Sequence, residues 1–311
     1  MAISSSAVLR SLRSAFVCGL GACLVSACSI RHYAVDQTAD ILSGQGGVFA
    51  SDDDPELIRD AAPLSLKLIE GLIAERAEHR GLLLAAAKGF TQYSYAFVQQ
   101  DADELENKDV NAAYRLRERA ARLYRRARDY GLQGLAAGDK EFAAALRADP
   151  KKTLASLGHD EVPLLYWTGA AWLSWIALSK DSSDALADMP IPMAMLDRAL
   201  SLDEGYSAGA LHSLFITVEM SRGSNTEQAA ARSRAHFERA VQLSGGNLAG
   251  PYVALAEAVA IPRQDRKAFE NLLRSAINLS PDAVPDARLE NHVMQKRARW
   301  LLEHTDQYFI E

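Results

Sequence analysis

The chain has 311 residues, 49% of them hydrophobic, with 34 basic and 40 acidic side chains and a formal net charge of −6. A chain this long buries a sizeable core, and its acidity offers no electrostatic route to nucleic acid. Its 3 cysteines sit at positions 18, 23 and 28, so the residues beyond them have no disulfide, thiol nucleophile or cysteine metal site.

Arg10 and Arg13 precede a short apolar run that ends in Leu24-Val25-Ser26-Ala27-Cys28. This is a charged n-region, an apolar h-region and small residues before a cysteine. The run is shorter than the roughly 20 apolar residues a spanning helix needs, and Gly19 and Gly21 weaken it further as a helix. The pattern resembles the lipobox of bacterial lipoproteins, in which the cysteine is lipidated and becomes the new N-terminus. On that reading residues 1–27 are a signal peptide, and Cys28 carries lipid such as palmitate outside the cytoplasm. A cleaved but unlipidated signal peptide, or a loose N-terminal helix, is the alternative. One acyl chain holds weakly and two hold stably. By resemblance to Gram-negative sorting rules, Ser29 in place of Asp favours the periplasmic, inner leaflet of the outer membrane.

Residues 28–53 read as a flexible tether. Ser43-Gly44-Gln45-Gly46-Gly47 is flexible and Ser51-Asp52-Asp53-Asp54 is polar. Three aspartates after the glycines would repel a phosphate, and the ligand spacing of a calcium loop is absent. Asp54-Pro55-Glu56 predicts an N-cap, a first helical position and an acid in the first turn.

From Asp54 onward the period is helical, and residues 54–311 read as one domain. Leu57, Ala61, Leu64, Leu68 and Leu72 form one row, and Leu82, Ala86, Phe90, Tyr93 and Phe97 another. No long alternating segment argues for a strand. Turn-forming clusters, from Arg76-Ala77-Glu78-His79 to Ser280-Pro281-Asp282, divide the chain into about ten helices, most of about 12–22 residues. The basic run from Arg115 to Arg128 reads first as a solvated helix face. Its alternative is a docking patch for an acidic partner or lipid headgroups.

Val162 to Leu178 is the most apolar stretch and holds three of the 4 tryptophans. At about 100° per residue, Leu164, Trp167, Ala171, Trp175 and Leu178 share a face, with Trp172 beside it. A helix apolar all round is surrounded by protein. One reading is a central core helix. The other has one side lining an apolar cavity, with Phe90, Tyr93 and Phe97 as a second wall and Tyr252 as a further lining residue.

Three helix ends read alike: Leu196-x-x-Ala199-Leu200-x-Leu202, Phe237-x-x-Ala240-Val241-x-Leu243 and Leu273-x-x-Ala276-Ile277-x-Leu279. Ala120-x-x-x-Tyr124-x-x-Ala127 is a weaker copy. They resemble the second helix of a tetratricopeptide (TPR) repeat. The expected fold is all-α, with TPR-like antiparallel helix pairs stacked into a compact superhelix. The seven histidines form no H-E-x-x-H, and no nucleophile elbow, P-loop or dinucleotide fingerprint is present. No enzymatic activity, metal or cofactor is expected.

Several segments together resemble the TRAP-transporter-associated TPR lipoproteins, the T component. They include Phe49 to Asp60, Arg80 to Tyr93, Val162 to Trp167, His236 to Gly246, Gly250 to Ala258 and Gln295 to Leu302. The resemblance implies a lipidated periplasmic TPR-like protein that assembles as a homotrimer and docks the solute-binding protein of a TRAP transporter. It also implies a hydrophobic channel that passes or holds an apolar ligand, and it brings no catalytic residues. A TPR scaffold for envelope assembly, with no transport role, is the alternative function.

Overall fold

A computed structural model describes residues 46–222 and 226–310. Cys28, the signal peptide and most of the tether lie outside the described residues. Among the described residues there is no strand, and the all-α expectation holds. After a short α1 (Gly46–Ala50), α2 (Pro55–Glu75) starts as the sequence predicts. The Asp54 carboxylate accepts from the N–H groups of Glu56 and Leu57, both at 3.0 Å.

The chain then runs through four helical hairpins. In the first, α3 (Arg80–Tyr93) continues through a π-helical stretch, Ser94–Gln99, into α4 (Gln100–Leu105) and folds back as α5 (Val110–Ala136). Two short helices follow, α6 (Phe142–Ala148) and α7 (Pro150–Leu154). The second hairpin pairs α8 (Val162–Ala177) with α10 (Pro190–Leu202) across the short α9 (Ser183–Ala187). The third is α11 (Tyr206–Val218) and α12 (Thr226–Leu243). The fourth is α13 (Gly250–Leu255), extended by a second π-helical stretch, Ala256–Ala260, against α14 (Arg266–Asn278). A last long helix, α15 (Arg288–Glu303), packs on α14.

The three alike helix ends fall at the close of α10, α12 and α14, the second helix of each hairpin, and the weaker copy lies on α5. Leu196, Ala199, Ala240, Leu273 and Ala276 are all buried, as helix crossings require. The most intimate crossing is α5 on α8. A methyl group at Gly131 would collide with Thr168, and one at Gly134 would sit 2.8 Å from a Leu164 methyl. Glycine removes the side chain there and lets the two backbones approach.

The superhelix closes on itself, because α15 returns to the first helices. Ile58, Phe97 and Val293 form one buried cluster. Lys296 Nζ donates to Glu56 at 3.2 Å, Asn107 to Gln307 at 2.7 Å, and Arg288 to the Ser51 carbonyl at 3.2 Å.

The apolar row on α2 faces away from this core. The helix buries Ile58, Leu66, Ile69 and Ile73, while Leu57, Leu64 and Leu68 are 57%, 67% and 52% exposed. Apolar residues occupy two faces of α2, and the intramolecular core covers one.

Candidate ligand-binding site

The expected wall residues divide between two environments. Phe90, Phe97, Leu164, Ala171 and Trp172 are closed to solvent. Phe90 stacks on Tyr130 at 6.1 Å with Arg126 above it. Tyr93 packs with Phe97 and lies under Arg119. Arg128 spans Trp172 and Trp175, at 5.1 and 4.6 Å from their rings. This side of α8 therefore packs on α5. Part of the basic run serves packing as well as solvation, while Arg115, Arg122 and Arg125 stay exposed. Half-buried Tyr252 meets Phe237 edge-on at 5.2 Å. These residues do not converge on one wall.

Trp167 differs from the rest. Its ring lies 4.9 Å from Tyr166, and Lys88 Nζ sits 6.0 Å above it. Tyr166 in turn meets Tyr206 at 5.4 Å, and burial raises the pKa of the Tyr206 phenol, with Trp167 opposing. Tyr206 stands where α11 begins, just before Ser207, Ala208 and Gly209, which take φ of 48°, 54° and 88°. Left-handed backbone costs a non-glycine residue about 1–2 kcal/mol. The turn is held because Gly209 packs directly on α12, where an added methyl would lie 3.0 Å from Leu243. Strain held by surrounding packing is common where a side chain is positioned for function.

Around this aromatic set, exposure and desolvation occur together. Tyr95 keeps 37% of its surface open, yet burial raises its phenol pKa. Glu290 is exposed, yet burial raises its carboxyl pKa, with Lys88 opposing. Burial lowers the Lys88 pKa and raises that of Tyr166, and both residues keep partial exposure. A group on a convex surface is open and well solvated. A group that is partly open yet desolvated has much of the protein packed near it. The charge of Glu290 acts to raise the pKa values of Lys88, Tyr95 and Tyr166. The five residues Lys88, Tyr95, Tyr166, Tyr206 and Glu290 come from α3 with its π extension, α8, α11 and α15. The Glu290 carboxylate also lies against Gly250 of α13, where an added methyl would be 3.2 Å away.

Further along α15, Arg297 anchors an ion cluster that leaves its buried Nη1 without a hydrogen-bond partner. Arg297 donates to Glu257 at 2.7 and 3.1 Å and reaches Asp103 at 3.0 Å. Burial would lower the Arg297 pKa, but the two carboxylates outweigh it and hold it up. Glu257 lies in the second π stretch and Asp103 just after the first. Each stretch holds a hydrogen bond reaching back five residues, from Gln100 N–H to the Tyr95 carbonyl and from Ile261 N–H to the Ala256 carbonyl. Such bulges are frequent at functional sites. Tyr95 Oη lies 3.8 Å from Met294 Sδ, next to this cluster.

The sequence reading did not single out Lys88, Tyr206 or Glu290. Tyr95 lay within residues 89–97, read as a second wall, on the side opposite Phe90, Tyr93 and Phe97, and Tyr166 lay opposite the Trp167 face of its helix. Among the described residues no group of three or more His, Cys, Asp or Glu side chains is placed to hold a metal. His212 and His236, 24 residues apart in sequence, meet at 2.8 Å between their Nδ1 atoms. Burial lowers both pKa values. Two outer grooves, of about 530 and 260 Å³, flank α6–α7 and α13–α14 and contain none of the enclosed residues.

A family model described as TRAP transporter T-component matches residues 51–309 of the chain. An uncharacterized protein of Treponema pallidum (strain Nichols) is 28% identical over 268 residues, covering 85% of this chain and 83% of its own length. No helix among the described residues is long and apolar enough to cross a membrane.

Proposed function

The chain belongs to the TRAP transporter T-component family, and from that premise we propose that it is a periplasmic, lipid-anchored scaffold for the transporter's solute-binding protein that binds or channels a hydrophobic ligand. The observation that supports the ligand role is the half-buried aromatic group of Trp167, Tyr166 and Tyr206, joined ring to ring with Lys88 over Trp167. Aromatic walls with a few convergent polar groups are what small-molecule sites are made of. The family is a transporter component, and the proposed role includes no chemical step on the ligand.

Anchoring follows from Cys28 and the tether of residues 28–53, which leave the helical domain of residues 54–311 free to meet soluble partners. Assembly into a homotrimer is supported by α2. Leu57, Ala61, Leu64 and Leu68 repeat at four-three-four spacing, the seam spacing of helix association. Three of them are solvent-exposed.

Pull-down from envelope extracts tests the partner. It recovers a periplasmic solute-binding protein if the reading holds. Recovery of assembly or peptidoglycan proteins alone would move the chain to an envelope scaffold with no transport role. Labelled palmitate attaches to the wild type and not to Cys28→Ser, and equal labelling of both would end the anchoring claim.

A further inference from the structure

Helix α5 is 27 residues long, and one flank carries its buried residues, among them Ala113, Ala120, Tyr124, Ala127 and Gly131. On the opposite flank Arg115, Arg119, Arg122 and Arg126 follow one another at four-three-four spacing. At about 100° per residue the four stay within about 60° of one another and extend about 16 Å along the axis, with Arg125 beside them. All five are exposed. The fold uses two of them. Arg119 lies over Tyr93, and Arg126 lies over Phe90 and reaches Glu70 at 3.4 Å. Arg115, Arg122 and Arg125 make no ion pair or hydrogen bond among the described residues. Arginine elsewhere mostly meets an acid, as Arg147 meets Asp188, Arg239 Glu204 and Arg263 Glu227. The acids on the same flank of α5 are Glu118 and Asp129, and Asp129 is taken by Arg128 at 2.7 Å. The flank is therefore basic, in a chain whose formal net charge is −6.

Three observations favour a lipid surface over an acidic protein as its partner. Neither outer groove includes any of the five arginines. A convex row of cations suits a diffuse layer of phosphates, whereas a stable protein interface is built around a desolvated apolar centre. Tyr114, next to Arg115, is 61% exposed, and an aromatic ring with a polar tip suits the headgroup level of a bilayer. Residues 28–45 span at most about 60 Å and end at Cys28, so the lipid-anchored domain stays within reach of a membrane. A basic face on a tethered domain meets that membrane as an intramolecular partner, and lipid plus basic patch together hold more firmly than lipid alone. The acidic remainder of the chain is repelled by the same surface, which turns the basic flank toward it.

We propose that the arginine row of α5 docks on an anionic phospholipid surface and lays that helix along the bilayer to which the chain is tethered. This rests on the lipid-anchor reading and adds to it a fixed orientation. The side of the domain away from α5 then meets soluble partners.

The test uses the processed chain, residues 28–311, with Cys28→Ser so that no acyl chain holds it. It is sedimented with vesicles of phosphatidylcholine, alone or mixed with phosphatidylglycerol. The chain should bind the mixed vesicles, leave the neutral ones, and be released by raised salt, because exposed charges are screened. Each basic residue near an anionic surface changes partitioning by about fivefold. The triple variant Arg115→Gln, Arg122→Gln, Arg125→Gln should therefore bind at least tenfold more weakly. A second triple, Arg234→Gln, Lys267→Gln, Arg299→Gln, removes the same charge from exposed positions on α12, α14 and α15 and should leave binding nearly unchanged. Circular dichroism checks that both are folded. No binding to the mixed vesicles, or equal weakening by the two triples, overturns the proposal. If the α5 triple keeps its vesicle binding but no longer captures the solute-binding protein from envelope extracts, the row serves an acidic protein and the proposal falls. None of these results depends on Cys28, so their failure leaves the anchor standing, and palmitate labelling judges the anchor separately.

Discussion

Two sets of charges lie close together inside this protein and are treated in opposite ways. At Asp103, Arg297 and Glu257 every charge has a partner, and the cation is held more firmly charged than in water. Lys88 and Glu290 make no ion pair among the described residues, and burial pushes both toward neutrality. The first set joins the two ends of the superhelix, since Arg297 belongs to the last long helix and Asp103 to the first hairpin. The second set does no such joining. Desolvated charge without a partner works against folding.

The sharpest way to break this contrast is to remove Arg297. Arg297→Leu leaves two carboxylates facing each other and should cost about 3 kcal/mol, the low end for a broken buried pair because both acids are partly exposed. Urea unfolding measures it, and a loss under about 1 kcal/mol would mean the cluster is an ordinary surface pair. The comparison is then completed at Lys88 and Glu290. The double variant Lys88→Met with Glu290→Gln should unfold within about 0.5 kcal/mol of wild type, or be more stable. A loss matching that of Arg297→Leu would make the central pair structural too.

Packing beside the space sets a second scale. Gly131→Ala drives a methyl into Thr168 at the α5–α8 crossing and should cost about 1–3 kcal/mol. It should leave the affinity for an uncharged apolar dye, N-phenyl-1-naphthylamine, unchanged unless α8 shifts and carries Trp167 with it. Outside the ring, Leu64→Glu with Leu68→Glu should leave stability nearly unchanged but dissociate the oligomer in light scattering. A trimer that survives both substitutions would remove α2 from the interface.

The smallest effect concerns the histidine pair. Burial lowers both pKa values from 6.5. Between those lowered values and 6.5 the unfolded chain binds more protons than the folded one, so stability falls as the pH drops through and below 6.5. His236→Phe, which keeps a ring on Phe215, should flatten that slope in urea titrations at pH 5 and pH 7. An unchanged slope would place its origin elsewhere.

Much of the scaffold was legible in the sequence. Asp54 caps its helix because a short acid before proline does so locally, and the alike ends of α10, α12 and α14 report crossings through their small residues. Residues on α2 show where legibility stops. Leu57, Leu64 and Leu68 and their neighbours Ile58, Leu66, Ile69 and Ile73 are equally apolar, and periodicity does not say which face the fold covers. The enclosed residues carried a weaker signal still. Lys88 and Glu290 are ordinary helix-surface residues by spacing, and only closure of α15 onto the first hairpin brings them to one space. Tyr95 lies opposite the aromatic row that periodicity picks out. His212 and His236 meet through the pairing of α11 with α12, which no local motif encodes.

The proposed ligand role requires that Tyr95 and its neighbours face a space open to small molecules yet enclosed by protein. Single cysteines at positions 95, 64 and 171, in a chain whose Cys18, Cys23 and Cys28 are serine, test it with two maleimides, one small and one carrying a long polyethylene glycol chain. Position 64 should react with both and position 171 with neither. Position 95 should react with the small reagent and resist the large one, and an apolar ligand should slow even the small one. If position 95 took the large reagent as fast as position 64, Tyr95 would lie on an open surface and there would be no enclosed site.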